Sequence, residues 1–211
     1  MAKSYRVKEI FHSLQGEGAN AGRAAIFCRF AGCNLWSGRL EDRSRGPGSC
    51  SQWCDTDFLG GTDYTLDALV AAVAGEDGGR GCRFAVLTGG EPLLQIDRDF
   101  VRALRRSGFE VAIETNGTMA VAIPEIDWIC VSPKAGAPLV QKSGDELKLV
   151  FPQAGLRPEE LPLDELDFKH LYLQAMDGCA LSANLAAAAR YCMDHPRWRL
   201  SLQAHKFVGI R

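Results

Sequence analysis

Three cysteines stand in C-x16-C-x3-C spacing: Cys33 in "AGCNLW", then Cys50 and Cys54 in "SCSQWCDTDF". Thiols this close can close a disulfide, hold a zinc ion or ligate an iron–sulfur cluster. A reducing compartment disfavours the disulfide. Structural zinc wants four closed ligands, and the fourth would have to come from His12 or Cys28. An iron–sulfur cluster held by three thiolates keeps one iron open to another molecule. Trp53, next to Cys54, offers a flat apolar surface suited to an aromatic base beside that open iron.

A second motif, "LTGGEP", follows a strand-like run. Gly89 and Gly90 let backbone come close to a ligand, Glu91 can take an ammonium group, and Pro92 stiffens the exit. Alone this is an ordinary strand-to-helix turn. Together with the three thiols it suggests S-adenosylmethionine, whose amino and carboxylate groups can chelate the open iron. Two further features carry chemistry. Arg29 lies in the apolar run "AAIFCRF", where its guanidinium needs a carboxylate: a substrate's, or that of Glu17 or Glu9. Gln15 and Glu17 in "LQGEG" alternate with glycine, so both can present polar groups on one side of a loop.

The elements that must position these residues read as an α/β alternation. Runs such as "AAIFCRF", "RFAVLTG", "FEVAIET", "DWICVSP", "ELKLVF", "HLYLQA" and "WRLSLQ" are nearly continuous in apolar residues, as in strands covered on both faces. "TLDALVAAVA" opens on a Thr65 N-cap, "DRDFVRALRRSG" ends at Gly108, and "SANLAAAARYCMDH" stops before Pro196. Fewer helices than strands are expected. Polar residues gather where the strands end, in "LTGGEP", "ETNG", "SPK" and "LQA", which points to a small-molecule site at the carboxyl ends of parallel strands. Cys82, Cys130, Cys179 and Cys192 read as buried filler, and Cys28 reads the same way.

The chain of 211 residues carries a formal net charge of −2, which gives it no general attraction to nucleic acid or an anionic membrane. No apolar run approaches the ~20 residues that cross a bilayer. The expectation is a cytoplasmic protein forming one domain over 1–211, without nucleic-acid or membrane partners.

"CNLWSG…CSQWCDTDF" with "LTGGEP" resembles the radical S-adenosylmethionine superfamily. The opening "SLQGEGANAGRAAIFCRFAGCNLWSG", with "ETNGT", "SPKAG", "ELKLV", "LYLQAMDG" and "LSLQAHKFVGIR", resembles the branch that makes 7-carboxy-7-deazaguanine. The superfamily's usual loop is C-x3-C-x2-C, so the wider gaps here are a departure.

The resemblance implies an incomplete TIM-like barrel of about six parallel strands, with a cluster-binding loop at 33–54 and a tail, 200–211, near the substrate. It implies a lyase that converts 6-carboxy-5,6,7,8-tetrahydropterin to 7-carboxy-7-deazaguanine with loss of ammonia, in queuosine-type biosynthesis. It further implies a 4Fe–4S cluster on Cys33, Cys50 and Cys54, S-adenosylmethionine, and magnesium at Thr56, with Asp55 and Asp57 as second choices. Trp53, Gly90, Glu91, Ser132, Lys134 and Gln174 would hold the cofactor. Gln15, Glu17, Arg29, Thr88, His205 and Arg211 would meet the substrate, with Glu114 and Asn116 organising the rim. A flavodoxin or ferredoxin reductant and a homodimer are implied as well.

Overall fold

The structure, a computed structural model, describes residues 3–39, 41, 54 and 56–211. Among them nine strands form one sheet: β1 (Tyr5–Leu14), β2 (Ala24–Phe30), β3 (Thr62–Tyr64), β4 (Phe84–Gly89), β5 (Glu110–Thr115), β6 (Trp128–Val131), β7 (Ser143–Phe151), β8 (Asp167–Ala175) and β9 (Trp198–Ser201). Their order is β3-β1-β2-β4-β5-β6-β7-β8-β9. Every neighbouring pair from β2 to β9 is parallel, while β1 runs antiparallel to β2 and β3. The parallel part therefore has seven strands, against the expected six or so. β1 was not among the expected strands, because its polar and apolar residues mix over a half-buried edge instead of forming a continuous run.

Among the described residues four α-helices accompany the strands: α1 (Leu66–Glu76), α2 (Arg98–Arg106), α3 (Leu181–Asp194) and α4 (Ala204–Val208). The first three fall where the sequence places them. The Thr65 hydroxyl caps α1 by accepting from the Ala68 N–H at 3.4 Å, and Asp97 caps α2 through the Phe100 N–H at 2.9 Å. α4 was not foreseen; five residues leave too little periodicity to read.

Side chains alternate across a strand, and here the alternation separates core from site. Ile26, Cys28, Phe30, Ala85, Leu87, Val111 and Ile113 meet Leu69 and Val73 of α1 and Phe100, Val101 and Leu104 of α2. Val131, Leu147, Leu149, Leu171 and Leu173 share a second core with Ala188 of α3 and Trp198. Each fully buried Val, Leu, Ile or Phe among them contributes ~1.5–3 kcal/mol. The intervening residues form a smaller apolar cluster of Ala25, Phe84, Val86 and Ala112. Further along these strands that face turns polar, at Arg29, Thr88 and Glu114, and Lys148 of β7 joins them. α1, α2 and α3 thus cover one face of the sheet, where the sequence suggested cover on both. The first and last strands end close together: the Gly18 N–H donates to Ser201 Oγ at 3.0 Å, and the Ala204 N–H to the Gly16 carbonyl at 2.9 Å.

Candidate active site

The polar strand ends surround a cavity of about 320 Å³, within the range of small-molecule sites. Its wall includes Cys33, Cys54 and Thr56; Thr88 and Gly90; Ser132 and Lys134; Gln174; Gln15, Glu17 and Arg29; and His205 and Arg211. Those thirteen residues were singled out from the sequence, and the fold brings them to one place. Cys50, Trp53 and Asp55 lie outside the described residues. Asp57 is turned away to an exposed pair with Lys8, at 2.7 Å.

Cys33 follows the end of β2, where a tight backbone fit fixes its loop. The Glu91 N–H donates to the Gly32 carbonyl at 2.9 Å and the Gly90 N–H to the Phe30 carbonyl at 3.3 Å. A Cβ on Gly90 would sit 1.9 Å from the Gly32 oxygen, and one on Gly89 2.2 Å from the Phe30 oxygen. The close approach that these glycines permit is therefore to the cysteine-bearing strand end, where the sequence reading had a ligand. Asn34, next to Cys33, bonds Asn116 at 2.9 Å and Thr118 at 2.8 Å, tying the loop to the turn after β5. Burial raises the Cys33 thiol above its ordinary value. Cys28 belongs to the helix-facing core, and His12 follows the cavity-lining Phe11 on the opposite side of β1. Neither can complete a zinc site with Cys33. Among the described residues no group of three His, Cys, Asp or Glu side chains is arranged for a metal. Two thiols on one cavity wall, with Cys50 between them in the sequence, still match the donor chemistry of a thiolate-held cluster.

Glu91 is placed differently from the expectation. It is fully buried and does not line the cavity. Its carboxylate accepts from the Thr115 hydroxyl at 2.9 Å, the Asn116 N–H at 2.8 Å and the Leu93 N–H at 3.1 Å. Those donors satisfy it from within the scaffold, so the carboxylate joins the turn after β4 to the end of β5.

The "QGEG" loop is seated on β7. Lys148, 4% exposed, donates to Glu17 at 2.5 Å and lies 3.6 Å from Glu114. Glu146 accepts from the Ala19 N–H at 2.8 Å, and Gln203 donates to the other Glu17 oxygen at 2.9 Å. Burial works to raise the Glu17 carboxyl, but Lys148 and hydrogen bonds from Lys148, Gln203 and Gln174 outweigh it and hold it at about 2. Burial opposes the charge on Lys148, yet its anionic surroundings keep the ammonium protonated well above its ordinary range. The Cys130 thiol is itself raised far up by burial, so the glutamates supply that negative charge. Gln15 donates to Glu114 at 2.9 Å and accepts from the Glu17 N–H at 3.1 Å. Thr88 reaches Glu114 at 3.5 Å, and Gln174 accepts from Ser201 at 2.9 Å. Lys134 donates to the Ser132 hydroxyl and carbonyl, both at 2.7 Å.

Arg29 takes the internal partner that the sequence left open. Its Nε donates to Glu9 at 2.8 Å, and Arg211 grips the other Glu9 oxygen at 2.6 Å. Both guanidinium groups lie over Phe11, at 5.9 Å and 5.1 Å from its centroid, and Phe11 stacks on Phe27. His205 stands on α4 against Gly16, where a Cβ would meet its ring at 2.1 Å.

Sequence reasoning missed Lys148, Gln203 and the cavity position of Cys130, which it took for filler. Lys148 was detectable: a lysine inside the apolar run "ELKLV" is the same signal as Arg29 in "AAIFCRF". Cys82 is buried as expected and Cys192 partly so, but Cys179 is exposed, in the turn before α3.

A mostly parallel sheet with thiols, carboxylates and cations on one rim defines a small-molecule enzyme of the α/β class. Comparison with known proteins narrows this. The chain is 55% identical to the 7-carboxy-7-deazaguanine synthase of Bordetella pertussis, over 98% of this chain and 99% of that one. It is 53% identical to that of Caulobacter vibrioides, over 98% and 99%. The fold matches the crystal structure of QueE from Escherichia coli with a TM-score of 0.70 at 24% identity, covering 96% and 95% of the two chains. No protein-family model matches. The chain belongs to the 7-carboxy-7-deazaguanine synthase family. It is an enzyme of the radical S-adenosylmethionine class with a role in deazapurine biosynthesis. No helix among the described residues is long and apolar enough to cross a membrane.

Proposed function

We propose that the enzyme converts 6-carboxy-5,6,7,8-tetrahydropterin to 7-carboxy-7-deazaguanine with loss of ammonia. The observation that carries this reading is the shared cavity: two thiols of the cysteine loop, a carboxylate–amide edge at Gln15 and Glu17, and the guanidinium of Arg29 line one space. Cys33, Cys50 and Cys54 would hold a 4Fe–4S cluster. That cluster and S-adenosylmethionine, when bound, supply a 5′-deoxyadenosyl radical able to take a hydrogen atom.

The chain's own part is positioning. Arg29 pairs with the substrate carboxylate, sharing Glu9 with Arg211, and Gln15 and Glu17 take the amino-pyrimidine edge. Thr88 and His205 add polar contacts around the ring. The backbone at Gly90, with Ser132, Lys134, Gln174 and Trp53, holds the cofactor, while Glu91 supports that wall from behind. The Thr56 hydroxyl would be the chain's own ligand to a magnesium ion, which takes few protein ligands. The curl of the sheet into an incomplete barrel belongs to this reading, supported by the hydrogen bonds between the ends of β1 and β9. So do the single-domain organisation, a flavodoxin or ferredoxin donor, a homodimer and a cytoplasmic location.

The test is turnover by anaerobically reconstituted protein given the pterin, S-adenosylmethionine, magnesium and a reductant, with products read by mass. Release of 7-carboxy-7-deazaguanine is expected. A brown protein that yields only 5′-deoxyadenosine would remove the substrate from this reading.

A further inference from the structure

Lys148 has no assigned part in the reading above, yet it is the most enclosed cation on the cavity wall. A buried ammonium is costly unless it is paired, and this one faces three carboxylates. Glu17 lies at 2.5 Å and Glu114 at 3.6 Å, and Glu146 stands two residues away on the same face of β7. Only Glu17 belongs to a loop, so its side chain depends most on the contact for its placement. The loop backbone is tied at Gly16, Glu17, Gly18 and Ala19, but apart from Lys148 the Glu17 side chain has only the neutral donors Gln203 and Gln174.

We propose that Lys148 is a positioning residue that fixes Glu17 as an anion facing the cavity, and so selects ligands presenting an N–H edge over those presenting a carbonyl there. The inference rests on reading the cavity as a pterin site. A carboxylate accepts from two adjacent N–H groups, whereas a carboxylic acid offers one acceptor and a competing O–H. Without Lys148, Glu17 keeps Glu114 on β5 and Glu146 on β7 as like-charged neighbours. Cys130 on β6 and His205 on α4 are the other titratable groups near it, and Gln174 and Gln203 supply only neutral hydrogen bonds. Losing Lys148 removes the charge that holds the Glu17 carboxyl down, so burial and the like-charged neighbours shift it upward, and the anion is favoured again as the pH rises.

Binding of 6-carboxytetrahydropterin is measured anaerobically without reductant from pH 6.5 to 8.5, beside the 2-oxo analogue that lacks the amino group. The proteins are the native enzyme, Lys148→Met, Lys148→Arg, Glu17→Gln and the double variant Lys148→Met/Glu17→Gln. Lys148→Met is expected to bind the pterin at least tenfold more weakly at pH 6.5, to recover toward pH 8.5, and to lose preference over the 2-oxo analogue. Lys148→Arg should restore most of the affinity. In the Glu17→Gln background, Lys148→Met should add less than threefold. An equal loss in both backgrounds, or pH-independent binding by Lys148→Met, overturns the proposal while leaving the pterin site in place. If Lys148→Met does not fold, the step from Glu17→Gln to the double variant and the affinity of Lys148→Arg supply the test: a loss above threefold in the Glu17→Gln background, or no retention of affinity by Lys148→Arg, overturns the proposal. No pterin binding by the native enzyme would sink the proposed function and this inference with it, and is told apart by that control.

Discussion

Glu91→Gln separates two jobs that the carboxylate of "GGEP" could hold. In the structure its oxygens accept from Thr115, Asn116 and Leu93, with no exposure to the cavity. Glutamine keeps one oxygen and places an NH2 where the other stood. Either the Asn116 N–H or the Leu93 N–H then loses its acceptor. A buried donor left unpaired costs ~1–3 kcal/mol, a sizeable part of a total stability of ~5–15 kcal/mol. With a urea slope of ~3 kcal/mol/M, the unfolding midpoint should fall by ~0.3–1 M. Glu91→Leu strands all three donors and should cost more than ~3 kcal/mol. The assay is urea unfolding followed by tryptophan fluorescence, paired with S-adenosylmethionine binding by the reconstituted protein. A lowered midpoint for Glu91→Gln with cofactor affinity within about threefold of native fits a scaffold role; a threefold change is only ~0.6 kcal/mol. An unchanged midpoint with affinity down tenfold or more would refute it and put the carboxylate on the cofactor's amine.

Other variants test the rest of the site. Cys54→Ala should abolish the broad visible absorbance of the reconstituted protein, whereas Cys179→Ala, at an exposed turn, should leave it intact; a full cluster in Cys54→Ala would remove that ligand. Arg29→Ala should raise KM for the pterin at least tenfold while cofactor cleavage continues. Arg211→Ala removes only the more exposed partner of Glu9, a pair screened to ~0–1 kcal/mol, so its KM should rise no more than about fivefold. Equal effects of the two arginine changes would contradict that ranking. The Glu17 carboxyl is held below its ordinary value of 4.5, so it contributes stability that is complete above that pH and is lost as the pH falls toward about 2. Glu17→Gln should therefore flatten the acid limb of the stability curve in that window, as read by unfolding at a series of pH values.

The parallel strands were legible because buried strands announce themselves as apolar runs, and the first three helices because their caps are local. β1 escaped for the opposite reason: half its residues face water or the cavity, so no run forms. Most of the cavity wall was legible from the polar residues at strand ends. The job of Glu91 was not, since two of its three partners, Thr115 and Asn116, lie more than twenty residues away on another strand end and no spacing reports them. Cys28 and Cys33 make the same point. Both stand near the end of β2, yet alternation sends Cys28 under the helices, and the chain has left the strand before Cys33. The internal partner of Arg29 was named among the alternatives because the cost of an unpaired guanidinium can be read without a structure. The same argument would have found Lys148.

That alternation also fixes the register of the sheet. Glu9 stands opposite Arg29, Arg29 opposite Thr88, Glu114 opposite Cys130 and Cys130 opposite Glu146. This row crosses six strands at one level, and its members satisfy one another sideways: Glu9 with Arg29, and Thr88 with Glu114. Lys148, one step higher on β7, reaches back to Glu114. A one-residue slip of β2 would turn Arg29 into the packing against α1 and α2, and a slip of β7 would send Lys148 and Glu146 into the packing against α3. Each slip buries a charge away from its partners, at a cost of several kcal/mol per ion. The residues that line the cavity therefore help to specify the strand pairing that puts them there.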